Sequence, residues 1–210
     1  MRKTVFMLLF CIAGAFLNIS FNKILTISGI GLPLYLDTVL TITVTLFGGL
    51  FWGCLTGALT NIIGHSIDFW GWQGYLFALC NIATAFITWL FMRLFPQELK
   101  ITQRQKTTAY KTMNLVVVLI LLSFALCLAM SILGGLISAL IQIITNSPAD
   151  EMKLKALLGE SMFSKLPVVL SEIISRIPIN IIDRLLSVFL GFGVAFGISR
   201  FLKFLLPKKQ

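Results

Sequence analysis

The sequence predicts an all-α integral membrane protein: one bundle of six transmembrane helices over residues 1–210, with both termini on the cytoplasmic side. Three observations predict it. Apolar residues make up 58 % of the chain, charged residues 12 %, and mean hydropathy is +0.96, whereas a soluble domain carries about 25 % charged residues. The apolar residues gather in six runs, at 4–21, 34–47, 49–64, 74–95, 113–145 and 179–205, and a helical crossing takes roughly 20 residues. Finally, the charges divide by sign. Arg2, Lys3, Arg93, Lys100, Arg104, Lys106, Lys111, Arg200, Lys203, Lys208 and Lys209 sit at the termini and in one connector. Asp37, Asp68, Asp150, Glu151, Glu160, Glu172 and Asp183 fall in or beside the other segments.

Lys and Arg near helix ends are retained in the cytoplasm. With Arg2 and Lys3 inside, four crossings return the chain to Arg93–Lys111, and two more bring Lys203, Lys208 and Lys209 inside as well. An odd number of crossings places one basic cluster on the wrong side. The acid-bearing segments are therefore expected outside, and a ligand is sought there. The localisation expected is the cell membrane, multi-pass, of the bacterial plasma-membrane kind.

Taken in order, the first run begins at Val5 behind Arg2 and Lys3, lacks a small-residue cleavage site and continues to Phe21, so it reads as a retained helix. The second and third runs nearly touch, and Phe47, Gly48, Gly49 and Gly53 suggest a tight inner turn. Gly49, Gly53, Gly57 and Asn61 recur every four residues, a small-residue ridge suited to close helix packing in lipid. Cys11, Gly14, Ala15 and Asn18 make such a face on the first helix, open to a neighbouring helix or a partner protein. The last run repeats the device with Ser187, Gly191, Ala195 and Ser199, and with Gly193 and Gly197. The fifth run is long for an untilted span and is expected to tilt or to extend on the outer side. Residues 150–175 mix apolar and charged side chains and read as an amphipathic segment on the outer surface. Pro178 is expected in the first turn of the sixth span.

The net charge of +9 does not make this a nucleic-acid binder, because the bases are scattered at helix ends. Cys11, Cys54, Cys80 and Cys127 lie singly in apolar runs, without the spacing of a metal site and outside a disulfide setting. His65 is the one histidine, so neither a three-histidine metal site nor a catalytic dyad finds support. No GxxxxGK[ST] phosphate loop, GxSxG elbow or HExxH motif occurs. The chain reads as a non-enzyme without a cofactor, a metal or its own ATPase.

The candidate ligand-binding residues are polar or aromatic groups near the outer ends. Asp37 caps its helix or meets a ligand, while Thr41 and Thr45 below it bond back to their own helix. Asn61 and His65 lead into Trp70, Trp72 and Tyr75, which anchor at the membrane interface or stack on a flat heterocycle. Asn81 is the outermost polar group of the fourth helix, ahead of Thr84 and Thr88. Arg176, Asn180, Asp183 and Arg184, with Glu172, form an ion-pair network or a ligand-binding group.

Three stretches carry a family resemblance. They are Gly31-Leu32-Pro33-Leu34-Tyr35-Leu36-Asp37-Thr38, the stretch from Phe47 to Asn61 with Gly49, Gly53 and Gly57, and Ile177-Pro178-Ile179-Asn180-Ile181-Ile182-Asp183. Together they resemble the substrate-binding S components of energy-coupling factor (ECF) transporters. The resemblance implies capture of a vitamin or precursor from outside, followed by association with a membrane coupling subunit and two cytoplasmic ATPases and toppling in the bilayer. It also implies a ligand site under the loops joining helices 1–2, 3–4 and 5–6. The family's coupling face is Ala-x-x-x-Ala on the first helix, matched here by Cys11 and Ala15, with cysteine in the first place. The expected ligand is flat and polar, stacked by Trp70, Trp72 or Tyr75 and hydrogen-bonded by Asn61, Asn81 or Asn180. The alternative is a membrane sensory or structural module coupling an external signal to a cytoplasmic partner.

Overall fold

The computed structural model describes residues 2–27, 34–67, 71–99, 109–146 and 166–205. Asp68, Trp70, Lys100, Arg104, Lys106, Asp150, Glu151, Glu160, Lys208 and Lys209 lie outside the described residues. All regular structure among those described is helical: α1 (Arg2–Ile27), α2 (Val39–Gly48), α3 (Leu50–Ile67), a 3-10 helix (Trp72–Phe77), α4 (Ala78–Leu94), the one-turn α5 (Pro96–Leu99), α6 (Ala109–Thr145) and α7 (Val168–Leu205).

Four segments are long and apolar enough to cross a membrane: Lys3–Leu25, Trp72–Leu94, Thr112–Thr145 and Val168–Leu202. Their outward surface suits lipid, with Phe6, Leu9, Phe16, Phe86, Phe124, Leu128 and Phe201 all well exposed. Helices α6 and α7, of 37 and 38 residues, are about 55 Å long, well beyond a hydrocarbon core of roughly 30 Å. Helix α2 is the exception at 10 residues, or about 15 Å.

The register of contacts gives each helix its direction. Cys11 meets Trp52, Gly14 meets Thr56 and Asn18 meets Thr60, so α1 and α3 run parallel. Gly53 faces Ala85 and Gly57 faces Asn81, which makes α4 antiparallel to α3. Gly135 faces Ile173 and Ser131 bonds Asn180, so α7 returns along α6. Helix α2 packs on α1, α3, α4 and α7 and is buried from Val39 to Leu46. It is the central helix of the bundle.

Two glycines set the close passage of the chain here, one in the turn from α2 into α3 and one where α3 meets α4. Gly49 is the only residue between α2 and α3, at φ +87°, a conformation costly for a residue with a Cβ. Its N–H closes on the Thr45 carbonyl at 2.9 Å. A Cβ on Gly57 would stand 2.8 Å from the backbone oxygen of Asn81, so only glycine admits α4 at that distance. The expected ridge on α3 is thus corrected at one end: Gly53 and Gly57 pack, while Gly49 forms the turn. On α7, Ser187, Ala195 and Ser199 are buried and Gly191 lies against the Val39 carbonyl. The expected second row does not pack, because Gly193 and Gly197 have open space where a Cβ would go.

Pro178 also departs from expectation. It lies inside α7, which begins at Val168, so residues 168–175 belong to that helix rather than to a separate surface segment. A proline removes one helical N–H bond and crowds the preceding turn, but neighbouring side chains can satisfy the freed groups in a membrane bundle. Here α6 lines the whole stretch: Arg176 Nη2 donates to Ser138 Oγ (2.6 Å), Asn180 Nδ2 to Ser131 Oγ (2.9 Å) and the Cys127 thiol to the Ile177 carbonyl (3.8 Å).

The interior is divided along its length. Towards the end where α2 and α4 finish, Ile42, Leu46, Leu99, Leu115, Leu119, Leu122, Leu126, Val188 and Phe192 form a continuous apolar core. Towards the opposite end the buried residues include the polar and charged Asn18, Thr38, Thr60, Asn81, Asn180, Asp183 and Arg184. One end is plugged; the other carries the chemistry.

Candidate functional site at the polar end of the bundle

The site grows from the short central helix. Asn18, on the buried face of α1, accepts from the Leu40 N–H at 2.9 Å through Oδ1. It donates through Nδ2 to Thr41 Oγ1 (3.2 Å) and Thr60 Oγ1 (3.1 Å). Helix α2 has no side-chain cap of its own at Thr38, so a residue of another helix satisfies its first turn. Thr45 bonds back to Thr41 O at 2.7 Å as expected, whereas the Thr41 hydroxyl serves Asn18.

This contact fixes the level at which α2 begins. From Asn18 and Thr60, α1 and α3 continue for about 10–14 Å towards the polar end, and α6 and α7 run about 20 Å past Ser131 and Asp183. The neighbours therefore rise as walls above the start of α2, and residues 34–38 cross the floor of the recess.

Ionic contacts hold that floor. Asp183, fully buried, accepts the N–H groups of Tyr35 and Leu36 through Oδ1 at 2.8 and 2.9 Å, and its Oδ2 lies 2.6 Å from Arg184 Nη2. The same clamp holds Leu36 at φ +44°, an uncommon conformation for a branched side chain. Arg184 Nη1 donates to Thr38 Oγ1 at 2.7 Å, and Nη2 lies 3.5 Å from Asp37 Oδ1. Asn81 Nδ2 donates to Asp37 Oδ2 at 3.2 Å. Asp37, Asn81, Asp183 and Arg184 are thus brought together, with an ion-pair network at their centre. Asp37 is not the helix cap.

The two carboxylates differ in a way that matters. Asp183 is sealed, while 25 % of the Asp37 side chain remains accessible. Tyr35, next to it, is 37 % exposed. Arg176 lies above them, its guanidinium 5.6 Å from the Phe77 ring centroid, and Tyr35 is within electrostatic reach of Arg176, Asp37, Asp183 and Arg184.

The remaining candidates lie elsewhere. Asn61 is buried and donates to the Gly57 carbonyl of its own helix at 3.4 Å, and Asn180 is committed to Ser131. His65 packs edge-on to Tyr75, 6.3 Å between rings, and Tyr75 shares a hydrogen bond with Ser66 at 3.1 Å. Trp72 is 49 % exposed on the 3-10 helix, apart from the floor. Cys11 and Ala15 are fully buried, with the Cys11 thiol directed at the Trp52 carbonyl (3.5 Å). Of the two destinations open to that face, it meets the neighbouring helix, because α3 fills it.

Sequence reasoning missed Tyr35, Thr38, Phe77 and Asn18 as members of the site. Among the described residues, no group of three or more His, Cys, Asp or Glu side chains could hold a metal ion. The chain matches no protein-family model, no curated protein and no solved structure.

Proposed function

We propose that the chain is a membrane-embedded substrate-capture subunit of an ATP-driven micronutrient importer, taking a vitamin or precursor into an outward-facing pocket. The observation that carries the reading is the accessible Asp37–Tyr35 pair above a packed apolar core. A bundle plugged at one end and polar at the other suits capture from one side only. In this reading the six crossings include α2 and α3 as a hairpin, the termini are cytoplasmic, and the recess faces outwards by the positive-inside rule. Arg93 and Arg200, held over Trp89 and Phe196, then mark the cytoplasmic end of a bacterial plasma-membrane protein. Energy comes from two cytoplasmic ATPases through a membrane coupling subunit, which docks on a face other than Cys11–Ala15.

A sensory or structural membrane module is the second reading. It draws on the ion pair of Asp183 with Arg184, which is internal to the bundle. Purification without added ligand, followed by native mass spectrometry, separates the two. Capture predicts a co-purifying small molecule and a raised melting temperature with at least one compound of a vitamin and precursor panel. No bound compound and no shift would favour the second reading.

A further inference from the structure

The ionic groups at the recess floor do not balance. Asp37 and Asp183 share Arg184, and the sharing is unequal: Nη2 stands 2.6 Å from Asp183 and 3.5 Å from Asp37. Asp183 takes two backbone N–H groups in addition. Asp37 receives a side-chain hydrogen bond from Asn81, at 3.2 Å; its enclosed Oδ1, like Asp183 Oδ2, has only the ionic contact with Arg184, and for Asp37 that contact is the longer one. A carboxylate has about four acceptor positions, and one held away from bulk water is costly unless paired. With Oδ1 enclosed, the accessible quarter of the side chain lies on its other atoms, among which Oδ2 alone can accept a hydrogen bond. The other cation on this face of α7, Arg176, stands about two helical turns higher, held at Ser138 and over Phe77.

We infer that Asp37 is the specificity residue of the recess and selects a ligand bearing a protonated, N–H-donating nitrogen, which donates to Oδ2 and supplies the missing positive charge. The inference rests on the capture reading above and narrows it to cationic ligands. Tyr35, two residues away and partly exposed, offers an aromatic ring for the apolar body of such a molecule. A ligand whose only charge is negative meets Asp37 unfavourably.

The test uses three flat probes of matched shape on the full chain in lipid nanodiscs: benzamidine (a cation with paired N–H donors), benzamide (neutral) and benzoate (an anion). Calorimetry should show benzamidine binding at least about tenfold tighter than benzamide, the size expected of a charge-assisted hydrogen bond, with no heat from benzoate. Asp37→Asn should abolish the preference for benzamidine. Equal binding of the three probes, binding of benzoate alone, no binding of benzamidine, or a preference that survives in Asp37→Asn overturns the inference. If that variant does not fold, the ranking of probes by the unmodified chain decides. Capture is scored separately by the co-purifying compound. A purely anionic compound overturns the inference and leaves capture standing, while no compound at all counts against capture even if benzamidine binds.

Discussion

At the scale of single residues, Asp183 and Asp37 look alike in the sequence, yet the structure gives them different work. Asp183 ties the segment before α2 to α7 with two hydrogen bonds and pairs with Arg184 of its own helix, so Asp183→Asn should cost about 3 kcal/mol, the penalty of breaking a buried pair. Asp37→Asn, at an accessible and longer-range carboxylate, should cost about 1 kcal/mol or less. Thermal unfolding in detergent checks the order; equal losses would mean that both carboxylates are structural. Asn18→Ala strands the Leu40 N–H and leaves two threonines without their donor, for an expected loss of about 2 kcal/mol. The same melting assay would expose a wrong assignment through an unchanged midpoint. The sequence showed Asn18 as part of a small face and Asp183 as part of a dense polar group. It could not show that Asn18 caps a helix of another segment, because that depends on how far α2 stops short of its neighbours. Tyr35 was hidden for a related reason: a tyrosine in an apolar, proline-containing stretch carries no local sign that an aspartate 148 residues away will hold its N–H.

Among the elements, the helices were readable and their ends were not. Helices α1, α3, α6 and α7 extend past at least one end of their apolar runs, where polar turns continue the helix, whereas α2 begins five residues inside the second run. Pro178 shows the limit most clearly. Local rules place a proline at a helix start, but the packing of α6 against both sides of it carries α7 through. Pro178→Ala should therefore leave the midpoint unchanged or higher, whereas a large fall would show that the proline shapes a needed bend. Gly57→Leu should fold poorly or melt far lower, since its side chain would enter the backbone of α4. Gly193→Leu, pointing into open space, should melt like the parent. The four-residue spacing was the same on both faces of α7, so spacing alone could not tell a packed row from an open one.

For the whole molecule, the apolar core at one end and the charged floor towards the other are what suit the bundle to the proposed capture from one side. The charge asymmetry in the sequence had marked the same polarity through the basic termini and connector. Its origin is different: loop charges respond to the compartments outside the bilayer, while the internal gradient follows from a central helix too short to fill its bundle. The two agree in direction, and site-directed labelling in intact cells reads that direction. In a background freed of the native cysteines, Tyr35→Cys should react with a membrane-impermeant maleimide added from outside, and Gln97→Cys only after the cells are permeabilised. Labelling of Gln97→Cys in intact cells, with Tyr35→Cys silent until permeabilisation, would turn the receptacle towards the cytoplasm and contradict uptake from outside.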